Sequence, residues 1–179
     1  MSPEVRELGA QDAPALREFF AAMPGEDRTF FFKDVNDPTV ADAYVHDKRL
    51  LRRAAVDQNG RIVAFSALQP GVDWSSHVAE LVLVVAPDAR RNGLGRTLAR
   101  GMLIEAVQHN FTKVTVMIAA DNAGAIEMFQ KIGFEGEALL RDQLRSPEDG
   151  TLRDTVILAH LVDETWSTMI TAGFEDAIE

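Results

Sequence analysis

One acid interrupts an otherwise apolar run: Glu80, within residues 78–86. A carboxylate on such a strand is partly desolvated, which raises its pKa toward the range where it can accept a proton near neutrality. Just downstream stand Arg90, Arg91, Asn92, Gly93, Leu94, Gly95, Arg96 and Thr97, opening a helix with Leu94, Leu98 and Met102 on one side. Glycines let the backbone come close to a ligand, a new helix offers unpaired N–H groups, and the arginines add positive charge. That combination is an anion cradle suited to a pyrophosphate.

Two other phosphate-binding patterns fit poorly. The dinucleotide fingerprint needs a third glycine three residues after Gly95, where this chain has Leu98. A P-loop needs Gly-Lys-Ser/Thr, and no such triplet occurs. Arg90, Gly93 and Gly95 instead match Arg/Gln-x-x-Gly-x-Gly/Ala, and the block resembles the coenzyme A loop of the GNAT N-acetyltransferase superfamily. A second block, residues 121–134 with Asn122, Ala125, Ile126, Phe129, Gly133 and Phe134, resembles that family's Asn-x-x-Ala-Ile-x-x-Tyr/Phe-x-x-x-Gly-Phe helix. The two lie in the family's order, separated by a predicted helix and strand.

The resemblance implies a mixed α/β fold, a central sheet of about seven strands flanked by helices, with acetyl-CoA as co-substrate. It implies that the strand at 78–86 and the one at 113–119 splay apart at their C-terminal ends. Pantetheine would bond to backbone groups of Leu83, Val84 and Val85, with an N–H there facing the thioester oxygen. Residues Arg91 to Arg96 would hold the pyrophosphate, and Asn122, Ala125 and Phe129 would border the far side. The segment around Glu80 is similar to the corresponding strand of bacterial Pat-type protein lysine acetyltransferases, whose glutamate is the general base. Glu80 is therefore the expected base for direct attack by a primary amine, on a protein lysine or a small molecule. Two positions depart from family patterns. Phe129 stands where many members carry a tyrosine acid, and Met117 stands where ribosomal-protein alanine acetyltransferases carry a glutamate. Because Phe129 has no proton to give, a non-catalytic acyl-CoA-binding module on the same fold is the second reading.

The elements that must position these residues follow from the pattern. A strand apolar at consecutive positions belongs inside a sheet. Residues 5–8 predict a first strand, and Asp12 a cap for a helix carrying Leu16, Phe19, Phe20 and Met23 until Pro24-Gly25. The resemblance implies that residues 26–32 can close over the site, with Phe30 to Phe32 either packing beneath that segment or lining the site. Asp37-Pro38 opens a helix to about residue 48. Segments 51–56 and 61–68 flank Asn59-Gly60, a hairpin signal. Residues 113–119, a helix capped by Asp121 or Asn122, and a hairpin of 134–144 with 152–161 complete the unit. Gly133 falls at the C-cap, with Phe134 positioned to pack back. The expected domain spans 1–162. Residues 163–179, with Trp166, Met169, Ile170 and Phe174 at helical spacing, predict a helical tail that covers the domain or meets a second subunit in a homodimer.

At 179 residues, 46% hydrophobic and 26% charged, the chain has the composition of a globular domain. With no cysteine, disulfides, thiol catalysis and thiolate metal sites are excluded. His46, His77, His109 and His160 lack metal-ligand spacing, so no metal is expected; His77, before the central strand, is the one to inspect beside Glu80. Nothing approaches a membrane-spanning apolar run or a signal peptide, which points to a cytoplasmic location. A net charge of −10 argues against nucleic acid and suits a cationic acceptor.

Overall fold

The computed structural model describes residues 3–31 and 33–162. Its framework is a seven-stranded mixed sheet in the order β1-β2-β3-β4-β5-β7-β6. The strands are β1 (Glu4–Glu7), β2 (Leu51–Val56), β3 (Ile62–Pro70), β4 (Val78–Val85), β5 (Lys113–Ala119), β6 (Glu135–Arg145) and β7 (Leu152–Leu161). The helices are α1 (Ala13–Ala22), α2 (Gly25–Arg28), α3 (Pro38–His46), α4 (Leu94–Gln108) and α5 (Ala123–Gln130). The apolar run around Glu80 is β4, the middle strand, as its lack of a solvent face predicts.

Alternation along β4 sorts its side chains onto two cores. Val82 and Val84 pack with Leu16, Phe20 and Tyr44 from α1 and α3. Ala79 and Leu81 pack with Met102, Leu103 and Val114 on the side of α4 and β5. By the same alternation Glu80 points to the α1–α3 face. Every neighbour along the sheet is antiparallel except β4–β5, which is parallel and paired only from Val78/Lys113 to Glu80/Thr115. Beyond Glu80 the two strands part. Their separation leaves the β5-facing edge of Leu83, Val84 and Val85 outside any ladder, whereas the other edge pairs with Ser66, Phe65 and Ala64.

Several local readings change. Asp12 does not cap α1 with its side chain; its carboxylate takes a bidentate bond from Arg6 at 2.7 and 3.0 Å and another from the Gly9 N–H at 2.8 Å. At the 57–61 turn only Gly60 has positive φ, +78°, so the hairpin is a three-residue loop with a glycine bulge rather than an Asn-Gly two-residue turn. Strand β3 runs on to Pro70 and so places Gln69 opposite Glu80. Residues 25–28, to which the sequence pattern assigns no element, form the short helix α2, followed by a 3-10 turn at Thr29–Phe31. Phe31 packs edge-on to Phe20, with centroids 5.0 Å apart, inside an aromatic cluster with Tyr44 and Phe65. Phe32, the Phe30 side chain and the tail with Trp166, Met169, Ile170 and Phe174 lie outside the described residues. Among those described, no helix is long and apolar enough to cross a membrane.

Candidate active site

Between the parted strands lies a cavity of about 520 Å³, within the size range of small-ligand sites. One wall is the end of β4, from Glu80 to Val85. The opposite wall is Val116, Met117 and Ile118 of β5, continued by Asn122, the N-cap of α5, and by Gly124, Ala125, Met128 and Phe129 of α5. The mouth is rimmed by Arg90, Arg91, Gly93, Leu94, Gly95 and Arg96, with Ala89 and Asp27. The structure thus brings together Glu80, the β4 residues, most of the loop and the three α5 positions singled out from sequence. Asn92 and Thr97 do not line it. Asn92 is exposed on the turn, and the Thr97 hydroxyl bonds back to the Gly93 carbonyl at 3.3 Å.

The loop's conformation follows from its composition. Gly93, the N-cap of α4, has φ +77°, a left-handed value that glycine adopts without cost. Arg91 also has positive φ, +64°, which a non-glycine residue rarely adopts and which concentrates at ligand-binding turns. At Gly95 a Cβ would stand 3.5 Å from Val85 Cγ2 and 3.7 Å from Leu83 Cδ2, so the missing side chain keeps the wall of β4 uncovered. Among the described residues, neither Arg91 nor Arg96 has an ion-pair partner. Arg90 is different: its Nε donates to the Val85 carbonyl at 2.9 Å and its Nη2 pairs with Asp27. Its guanidinium is engaged by the protein on both sides, so within the cradle Arg90 braces the loop. Asn122 caps α5 by accepting from the Ala125 N–H at 3.2 Å, the predicted use of one of the two candidate caps.

Glu80 is half-buried, and withdrawal from water raises its pKa above the ordinary glutamate value, against a smaller lowering by Lys33. Tyr44, 2% exposed beneath the aromatic cluster, accepts from Gln69 Nε2 at 3.0 Å. Burial first, and the Glu80 charge last, push its hydroxyl up to about 12. It does not line the cavity. Phe129 does, buried against Phe134 with ring centroids 5.1 Å apart, and it offers no acidic proton. Met117 shares the Glu80 face across the gap, so that second wall carries no carboxylate. His77 is exposed and off the cavity, while His160 is buried with Nδ1 2.8 Å from the Gly133 carbonyl. Among the described residues, no group of His, Asp and Glu could hold a metal ion.

Asp27 is the residue that sequence reading missed. Its helix, α2, bridges the cavity: Asp27 holds Arg90 on the β4 side, and Glu26 holds Ser146 at 2.7 Å and Arg153 on the β6–β7 hairpin. Arg153 also pairs with Asp121 at 2.7 Å, at the end of β5. The sequence places this acidic pair in a segment expected to close over the site, but nothing local announces partners 63 and 127 residues away.

A profile described as "Acetyltransferase (GNAT) family" matches residues 15–134, which span the cavity walls and the loop. The chain belongs to the GNAT acetyltransferase family. A curated relative, [Ribosomal protein bS18]-alanine N-acetyltransferase of Escherichia coli strain K12, is 31% identical over 102 residues, 57% of this chain and 66% of the relative. The match thus spans just under two thirds of that protein's length. The Salmonella typhimurium protein of the same name is 27% identical over 155 residues, covering 85% of this chain and 93% of the relative. Among solved GNAT structures, a phosphinothricin acetyltransferase from Sinorhizobium meliloti in complex with AcCoA superposes with a TM-score of 0.76 at 16% identity, covering 92% of this chain and 90% of that one. At that identity the likeness speaks for the shared GNAT fold.

Proposed function

We propose that this GNAT protein transfers an acetyl group from acetyl-CoA to a primary amine by direct attack, with Glu80 as the general base. The observation that carries the reading is one continuous cavity with a glycine-arginine rim at its mouth and a desolvated carboxylate on its wall. Acyl transfer needs a neutral amine, a donor for the oxyanion, and a leaving thiol. Glu80 takes the amine proton, directly or through a water. Backbone N–H groups of β4 beyond Glu80, free of the β5 ladder, supply the donor. Arg91 and Arg96, with the N–H groups at the start of α4, hold the diphosphate. Arg90 stiffens that loop through Val85 and Asp27. Leu83, Val84 and Val85 line one side of the pantetheine arm, and Asn122, Ala125 and Phe129 the other. With Phe129 inert and Tyr44 sealed in the core, the thiolate leaves unaided or is protonated through water; a thiol of pKa near 8.5 can do so.

The acceptor is a primary amine on a protein or small molecule. The names of the sequence relatives add an N-terminal alanine to the lysines and small amines that the residues allow. An α-amine, with a pKa of about 7.7–8.0, asks less of the base than a lysine at about 10.4. The deciding experiment measures free coenzyme A release with acetyl-CoA and three acceptors: a peptide with a free N-terminal alanine, an N-blocked lysine peptide, and spermidine. Release with at least one supports the transferase. The absence of a proton donor at Phe129 favours a second reading, an acyl-CoA-binding module without turnover. Heat of binding to acetyl-CoA with no acetylated product would support that one instead.

A further inference from the structure

Glu80 has a neighbour that the transfer mechanism above leaves unused. Lys33, in the segment between the 3-10 turn and α3, is exposed, and its Nζ stands 5.9 Å from the centroid of the Tyr44 ring. That is the seat of a cation–π contact. The Tyr44 hydroxyl is joined to Gln69, and Gln69 lies opposite Glu80 in the β3–β4 register. Lysine, ring, amide and carboxylate therefore form one chain of neighbours on the α1–α3 face. We infer that Lys33 is a positioning residue for the proposed reaction: seated on Tyr44, its ammonium keeps the half-buried Glu80 ionised and able to take the amine proton.

The charges around Glu80 make this assignment selective. From β3 it faces the neutral Gln69 and from α3 the protonated Tyr44; from β5 it faces Thr115 in register, with Lys113 two residues back and paired with Glu137. At the cavity rim Asp27 is paired with Arg90, and Arg91 and Arg96 line the mouth as the proposed diphosphate cradle. Burial pushes the Glu80 carboxyl up, and the influence opposing it is Lys33. Lys33 is exposed and the contact described for it is the ring of Tyr44, which Met can still cover, so the effect of losing its charge should be electrostatic and screened by salt.

The inference rests on Glu80 being the base, and two readouts separate its failure from failure of that reading. The first needs no acceptor: carboxyl NMR of the protein with 13C-labelled glutamate, in which Glu80→Gln identifies the Glu80 signal. Lys33→Met, with Lys33→Gln as a second neutral variant, should titrate Glu80 at higher pH than the native chain, and Lys33→Arg should restore the native midpoint. The gap between native and Lys33→Met should narrow in 1 M NaCl. The second readout is the pH profile of coenzyme A release with the amine that proves active. Lys33→Met should lower turnover about threefold on the acidic limb, recover at high pH, and leave acetyl-CoA affinity unchanged. Coincident midpoints in native, Met and Arg proteins would overturn the inference while leaving Glu80 as base. A midpoint that moves without the limb overturns the role in the reaction. A native profile matched by Glu80→Gln removes Glu80 from the mechanism, and Lys33 with it.

Discussion

Glu80 is a carboxylate held where water only half reaches it, and two consequences of opposite sign follow. Burial raises its pKa in the folded chain, so the ionised base of the proposed mechanism, and the activity assigned to it there, should appear only as pH rises through that value. Glu80→Gln should therefore lose about 10²-fold or more in turnover at neutral pH, lose its acidic limb, and bind acetyl-CoA as the native chain does in calorimetry. Stability runs the other way. A carboxyl with a raised folded pKa favours the fold at low pH, and that contribution is lost as pH climbs from the unfolded value through the folded one. The melting temperature of Glu80→Gln, measured at pH 8, should thus equal or exceed that of the native protein. The two glycines of the loop separate by the same kind of reasoning. Gly93→Ala places a side chain at φ +77°, costing about 1–2 kcal/mol and lowering the melting temperature. Gly95→Ala meets only ordinary contacts at 3.5 and 3.7 Å, so it should fold normally. Its methyl lies against the β4 wall, and it should raise the KM for acetyl-CoA about tenfold, one group's worth of lost fit.

Among the elements, α2 is the one whose role depends on distant partners. Four residues long, it lacks the length to be stable alone, and it is kept in place by Arg90 on one side and by Ser146 and Arg153 on the other. Partly exposed ion pairs of this kind contribute about 0–1 kcal/mol each, so Asp27→Asn should leave the melting temperature within about 4 °C. Its effect should fall on geometry: Arg90 loses one of its two anchors, and the loop it braces moves freely. A few-fold loss of acetyl-CoA affinity without loss of stability is the expected outcome. Unchanged affinity would reduce α2 to a surface cover. This contrast explains what could be read from the chain. Strands β4, β5 and β7 were legible because burial on both faces, or alternation, writes itself into neighbouring residues; β5 falls at 113–119 and β7 at 152–161 as predicted. Gly133 at φ +93° and the Phe134–Phe129 contact were legible because a C-cap is a local event. The clamp on Arg90 was not, because an ion pair between residues 27 and 90 leaves no periodic trace. Asp12 failed for a related reason: two bonds from Arg6 outcompeted a cap that sequence alone made reasonable.

For the whole molecule the question is how a chain of net charge −10 would attract the polyanionic co-substrate proposed for it. Range decides. At 0.15 M salt the screening length is about 8 Å, so the distant acids are largely hidden while the proposed contacts from Arg91 and Arg96 at the rim are not. At 0.01 M it is about 30 Å, and the repulsion of the whole chain reaches the incoming ligand. Stopped-flow association of acetyl-CoA should accordingly speed up between 10 and 150 mM salt, on the order of a few-fold. Between 0.15 and 1 M the equilibrium affinity should fall instead, as salt weakens the arginine contacts themselves. Replacing Arg91 and Arg96 by Ala would keep the first trend and flatten the second. Thermal unfolding gives the matching equilibrium check. Acetyl-CoA at 100 times its Kd should stabilise the native chain by about 2.7 kcal/mol. For a chain of this length that is a rise of about 5–11 °C in Tm. At the same acetyl-CoA concentration, most of that rise should vanish in the double variant, whose melting temperature without ligand should stay close to native because neither arginine has an ion-pair partner among the described residues. A full rise retained without both arginines would place the diphosphate elsewhere than at the rim of this cavity.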